Sequence, residues 1–198
     1  MKNFKDYFAN PVAKTYLILY FLIMLVTGFS MVTYVPFLIS KGMNLWQVNL
    51  INSFFMGTII LMEVPTGSFA DKFGRHRSIS ISFIMIAIGL FVYYSSNSFW
   101  LFILAEIIVG LGRTFASGAV DAWMTDSLIF RGEYHLNSAI LRQKSYVKSA
   151  AMIIGSLMGS YAGNYDLSFP WLMGIAVSIF SLFYTLKLKE SYRNKQAS

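Results

Sequence analysis

Four carboxylates and one guanidinium stand inside stretches that are otherwise almost continuously apolar. Glu63 lies in the run 48–69, and Glu106, Arg113, Asp121 and Asp126 lie in the run 99–128. A charge in such a setting is costly and usually faces a cavity or a partner. Asn52 precedes Glu63 by eleven residues, which puts the two roughly 20° apart on a helical projection and so on one face. Met56 falls between them. That face can line a pathway, or Glu63 can sit near an interface and bond to the adjoining loop. Glu106 and Arg113 are seven residues apart, on one face but about 10 Å apart along a helix axis. Asp121 lies about 60° from Glu106 on the same projection. The chemistry open to such a stripe is proton exchange as a cavity opens and closes. A structural charge network without proton traffic has the same residues.

Other chemistries find no support. The chain has no cysteine, and its two histidines, His76 and His135, fall in basic connections. Metal-ligand spacing is absent. No nucleophile–base pair or phosphate loop is present either, so the expectation is a protein that is not an enzyme and uses no metal or cofactor.

Glycine supplies the second pattern. Gly67-Ser68-Phe69-Ala70-Asp71-Lys72-Phe73-Gly74-Arg75-His76-Arg77 is a short basic turn between two apolar runs, with glycines for unusual dihedrals. Asp71 can pair with Arg75, or cap a helix and meet its dipole. Pro65, just upstream, removes a backbone hydrogen bond and kinks a helix. Gly110 and Gly112 lie in the run that carries Glu106, and Gly155, Gly159 and Gly163 recur every four residues. That recurrence makes a flat stripe against which another helix packs closely.

The elements that must position these residues are membrane helices. The 198 residues are 56% hydrophobic and 13% charged, where a soluble domain carries about 25% charged residues. Apolar runs cover approximately 16–39, 48–69, 78–94, 99–128, 146–165 and 170–186. Most approach the ~20 residues needed to cross a bilayer as helix. The predicted fold class is therefore all-α and integral to the membrane: a six-helix bundle over residues 1–188 and a polar tail over 189–198. The net charge is +7. Basic residues gather at the N-terminus, in the second and fourth connections and at the C-terminus, while the other connections hold Lys41 alone. The positive-inside rule then places both termini in the cytoplasm, and charge so distributed reads as topogenic rather than as a nucleic-acid surface. The fourth connection, 130–145, alternates Leu136, Ile140 and Leu141 with Arg and Lys. It is either a short amphipathic helix at the inner surface or a solvated loop. Trp46, Trp100 and Trp171 begin helices on the outer side, as an interfacial belt requires. With 18 Phe, 12 Tyr and 11 Met, the apolar surface is adaptable. It suits lipophilic cations or neutral drugs, and equally plain helix packing.

The turn 67–77 resembles the signature loop of the major facilitator superfamily, Gly-x-x-x-Asp-x-x-Gly-Arg-basic. The resemblance covers the whole chain in topology and three short segments in motif, and it points to an N-terminal six-helix half of the drug/proton antiporter type. It implies a conformational latch at Gly67, Asp71, Gly74, Arg75 and Arg77, with Asp126 as an acidic partner that joins Asp71 and Arg75 in one cluster. Breaking such a partly buried pair costs ~3–5 kcal/mol. Glu106-Ile107-Ile108-Val109-Gly110-Leu111-Gly112 is similar to the exporters' Arg-x-x-x-Gly-x-Gly, with Glu106 in the arginine's place. Gly155, Gly159 and Gly163 match the antiporter motif, in which Ser160 replaces a proline and Asn164 a glycine. The resemblance implies proton-coupled efflux of a small amphiphilic molecule or drug across the cell membrane, energised by the proton gradient. It also implies a second six-helix bundle, either a C-terminal half or a homodimer mate. The alternative is a truncated, transport-incompetent fragment or a membrane interaction partner.

Overall fold

A computed structural model describes residues 9–186 and 188. The expected polar tail 189–198 lies outside the described residues, as do Lys2, Lys5, Lys187, Lys189, Arg193 and Lys195. The described residues form α-helices with one short 3-10 turn and no strand. In chain order the helices are α1 (Pro11–Met31), α2 (Tyr34–Ser40), α3 (Leu45–Phe73), α4 (Arg75–Ser95), α5 (Phe99–Phe130), α6 (Asn137–Gly163) and α7 (Phe169–Thr185). By length and composition α1, α3, α4 and α5 can cross a membrane, and α7 is a shorter apolar helix.

Local chemistry sets the boundaries. Asn10 caps α1, its side chain accepting the amides of Val12 at 3.0 Å and Ala13 at 3.2 Å. Asn44 and Gln47 form a reciprocal capping box at the start of α3, which satisfies two orphan amides. The expected first span, 16–39, is split between α1 and α2. Pro36 explains the break. It has no amide to give the Val32 carbonyl, and it sits in the first turn of α2, where the missing donor costs nothing. Pro65 by contrast leaves α3 uninterrupted, and the Thr66 hydroxyl donates to the Met62 carbonyl at 2.7 Å. The fifth helix begins at Asn137, not 146. The amphipathic stretch is thus neither a separate surface helix nor a loop but the first turns of α6, because nothing between Asn137 and Tyr146 stops a helix.

Packing follows the glycines. α1 lies against α6, and α5 lies between α3 and α4. A Cβ on Gly155 would stand 2.6 Å from the Leu25 carbonyl oxygen, and one on Gly159 would collide with the Phe29 carbonyl. The α1 and α6 backbones therefore touch along the stripe. Gly110 and Gly112 serve the two opposite neighbours of α5. A Cβ on Gly110 would stand 3.0 Å from Thr58 of α3, and one on Gly112 3.0 Å from the Ser82 carbonyl of α4. Gly163 packs on Thr33, whereas Pro65 is exposed.

Two apolar cores result. One gathers Tyr16, Phe83, Trp123, Met124 and Leu128, and the other Phe37, Tyr93, Phe102 and Trp171. The α5 segment from Glu106 to Arg113 lies between the parts of that helix that feed them. Trp171 departs from the expected interfacial belt. It is 2% exposed, stacked on Tyr93 at 4.3 Å, while Trp46 and Trp100 do stand out from the surface.

Candidate functional site

The α3–α4 turn consists of Gly74 alone, at φ 112°, a left-handed conformation that glycine adopts without strain. It sets Asp71 at the end of α3 one turn from Arg75 at the start of α4, and the two form an ion pair. Arg75 Nε also lies 3.6 Å from Asp126 Oδ2 on α5. The structure thus brings Asp71, Arg75 and Asp126 together. It does not draw in Arg77, which stands exposed, and Gly67 has open space where a Cβ would go. The Asp71 side chain is 65% exposed. The energy attached to a partly buried pair therefore does not apply, and each contact falls in the range of ~0–1 kcal/mol for surface pairs.

Asn52, Glu63, Glu106, Arg113 and Asp121 line two cavities that share Arg113, while Asp126 lines neither. The inner cavity, about 540 Å³, is bordered by Glu63, Arg113, Asp121, Lys144 and Lys148. Asp121 Oδ1 accepts the hydroxyls of Tyr16 at 2.6 Å and Tyr20 at 2.8 Å. Lys144 Nζ bridges both carboxylate oxygens at 3.0 and 2.8 Å and lies 4.2 Å from the centre of the Tyr20 ring. Asp121 is therefore neutralised by Lys144 of α6, not by Arg113 on its own helix. Sequence reasoning missed Lys144 by assigning it to a basic connection. The signal was present: Lys144 precedes Gly155 by eleven residues, which places it ~20° from the glycine stripe that faces α1.

The outer cavity, about 210 Å³, has Asn52, Glu106, Arg113, Tyr34, Tyr93 and Trp171 among its walls. Glu106 is 5% exposed and accepts the Tyr93 hydroxyl at 2.8 Å. The Tyr34 hydroxyl stands beside Glu106, Tyr93 and Asn52 without closing a hydrogen bond to any of them. Arg113 borders both cavities. It donates to the Ile23 carbonyl at 3.4 Å and to the Thr27 hydroxyl, so α1 holds the guanidinium in place. Glu106 and Arg113 form no ion pair, as their axial separation leads one to expect. The tyrosines were not legible as site residues, because they approach α5 from other helices: Tyr16 and Tyr20 from α1, Tyr34 from α2 and Tyr93 from α4.

What this arrangement offers is two cavities with largely apolar walls that share one guanidinium, Arg113. One holds Glu106, hydrogen-bonded to Tyr93, and the other holds Glu63 and the Asp121–Lys144 pair.

Comparison with known proteins agrees with this architecture. The Major Facilitator Superfamily model matches residues 16–198. An uncharacterized MFS-type transporter, YxaM of Bacillus subtilis (strain 168), is 27% identical over 73% of this chain and 35% of its own length. The D-xylose transporter of Levilactobacillus brevis is 26% identical over 78% of this chain and 34% of its own. The multidrug resistance protein MdtH of Yersinia pestis (strain Pestoides F) is 28% identical over 64% of this chain and 31% of its own. The matches thus take in about a third of each relative's length. With its all-helical fold, its membrane-length apolar helices and this family match, the chain belongs to the Major Facilitator Superfamily, a family of membrane transporters and not of enzymes.

Proposed function

We propose that this chain supplies one six-helix half of a secondary transporter that exports a small amphiphilic molecule in exchange for protons. The observation that carries the reading is the sharing of Arg113 by two cavities, which together take in Asn52, Glu63, Glu106, Arg113 and Asp121. Glu106 is the group best suited to carry the proton. It is buried, it has no cation in contact, and its carboxylate accepts the Tyr93 hydroxyl. Asp121, held by Lys144 and two tyrosines, is suited to tie α1, α5 and α6 together. The Asp71–Arg75–Asp126 cluster serves as a conformational latch, as weak contacts that must open in every cycle can. The multidrug relative supports export, and the D-xylose relative shows how broad the substrates of similar chains are. The basic connections support a cell-membrane placement with both termini cytoplasmic.

A second bundle completes this reading. Ile60 and Val64 of α3 are each 77% exposed, a face that lipid or a second six-helix half must cover. The alternative, a fragment without transport of its own, has the same open face. Proteoliposomes that hold the chain decide between them. An imposed pH gradient should drive uptake of a lipophilic fluorescent probe, and Glu106→Gln should remove the response to the gradient while probe exchange at equal pH persists. No flux in the wild-type chain favours the fragment, and a Glu106→Gln variant still driven by the gradient removes Glu106 from proton coupling.

A further inference from the structure

The walls of the outer cavity limit what it can hold. Its volume of about 210 Å³ falls below the ~300–1,000 Å³ of a pocket for a whole drug-sized molecule. It therefore admits a head group only. Met31, which lines it, is 63% exposed, so the cavity opens there and leaves room for an apolar remainder outside.

Charge and hydrogen-bonding capacity narrow the head group. With Glu106 ionised, Glu106 and Arg113 contribute one charge of each sign and the wall is electroneutral; when Glu106 carries its proton, the positive charge of Arg113 stands alone. Glu106 already takes the Tyr93 hydroxyl, and Arg113 on the same wall repels a cation. Tyr93 and Trp171 are stacked on each other and only 1% and 2% exposed, so neither offers the free ring face that holds a quaternary ammonium; Tyr34 and Phe55, the other aromatic walls, are part-exposed, but they share the cavity with the Arg113 charge. What remains unspent is neutral in sum. Glu106 Oε2 can accept, Arg113 has N–H groups beyond the two it uses, and the exposed Asn52 amide does both. Resting on the transport reading above, we infer that the outer cavity selects an uncharged head group rich in both hydrogen-bond donors and acceptors, and discriminates against permanent cations.

Two probes with matched aromatic tails test this on the full chain in lipid nanodiscs. They are 4-nitrophenyl β-D-glucopyranoside and (4-nitrobenzyl)trimethylammonium, whose nitroaryl groups quench tryptophan, and Trp171 is at the site. The glucoside should bind at least ~10-fold more tightly than the cation. Asn52→Ala should weaken the glucoside about five- to tenfold, the scale of one lost hydrogen bond. Equal affinities overturn the inference, as does glucoside binding that ignores Asn52→Ala. Tighter binding of the cation, lost in Glu106→Gln, overturns the head-group class while leaving the cavity as a substrate site. If neither probe binds, the transport reading of this cavity falls with it.

Discussion

Asp121 takes four hydrogen bonds from the side chains of Tyr16, Tyr20 and Lys144. Glu106, on the same helix, takes one from Tyr93. The two carboxylates share a sequence pattern and differ only in what other helices bring to them. That is where sequence reading reaches its limit at this scale. The 3.6-residue period of α5 and α3 placed Asn52, Glu63, Glu106, Arg113 and Asp121 on related faces, but a wheel carries no information about partners from another helix. A double-mutant cycle checks the pairing. Asp121→Asn and Lys144→Met should show a coupling of about 1 kcal/mol in detergent unfolding, the low end being set by side-chain exposures of 39% and 24%. Asp121→Asn with Arg113→Met should show clearly less. The connection before α7 offers a pH-dependent counterpart. The Ser168 amide donates to Asp166 at 2.7 Å and holds its carboxyl below the usual carboxylate range. A depressed folded-state pKa contributes stability at neutral pH that is lost as pH falls through that value. Hydrogen exchange should therefore show the Ser168 amide protected at pH 7 and opened in acid, and Asp166→Asn should remove the difference.

At the scale of elements, glycine contacts rank the helix interfaces. Gly159 of α6 meets the Phe29 carbonyl of α1 with no room for a methyl group, while Gly118 of α5 has nothing within 4 Å. Gly159→Ala should cost about 1–3 kcal/mol, because two backbones must separate. Gly118→Ala should be neutral or stabilising by up to ~1 kcal/mol through helix propensity. Thermal unfolding in detergent reads both, and equal effects would contradict the packing described. The glycine stripe on α6 was legible because its spacing is fixed by one helix. The split of the first span was also written in the sequence, at Pro36, but an apolar run hides a break whose flanking residues Val32 and Thr33 are themselves compatible with a helix. The early start of α6 was hidden for the opposite reason. Charge in 137–148 suggested a connection, yet Lys144 spends its charge on Asp121 inside the bundle.

For the molecule as a whole, the all-helical fold and the family were legible because composition, run length and the 67–77 turn all constrain the same fold. Substrate and coupling were not, since on the proposed reading they depend on a cavity assembled from α1, α2, α3, α4, α5 and α7. Asp71→Asn should impair transport while leaving membrane insertion intact. The cluster it belongs to is exposed and weak, so its loss changes which conformation is populated and not whether the chain folds. Normal transport by that variant would remove the latch from the account.

The central claim is that water reaches the charged stripe of α5 through the two cavities, and the absence of cysteine makes it directly measurable. In membrane vesicles open to reagent on both sides, single cysteines at Asn52 and Gly118, which line the outer and inner cavities, should react with a charged thiol reagent. Cysteines at Ala105 and Ala119, 0% and 2% exposed, should not react. Nor should one at Ile60, which is exposed only to lipid or to a second bundle. Labelling at Asn52 and Gly118 alone supports a wet pathway meeting at Arg113. Silence at both, or reaction at Ile60 as fast as at either, would contradict it.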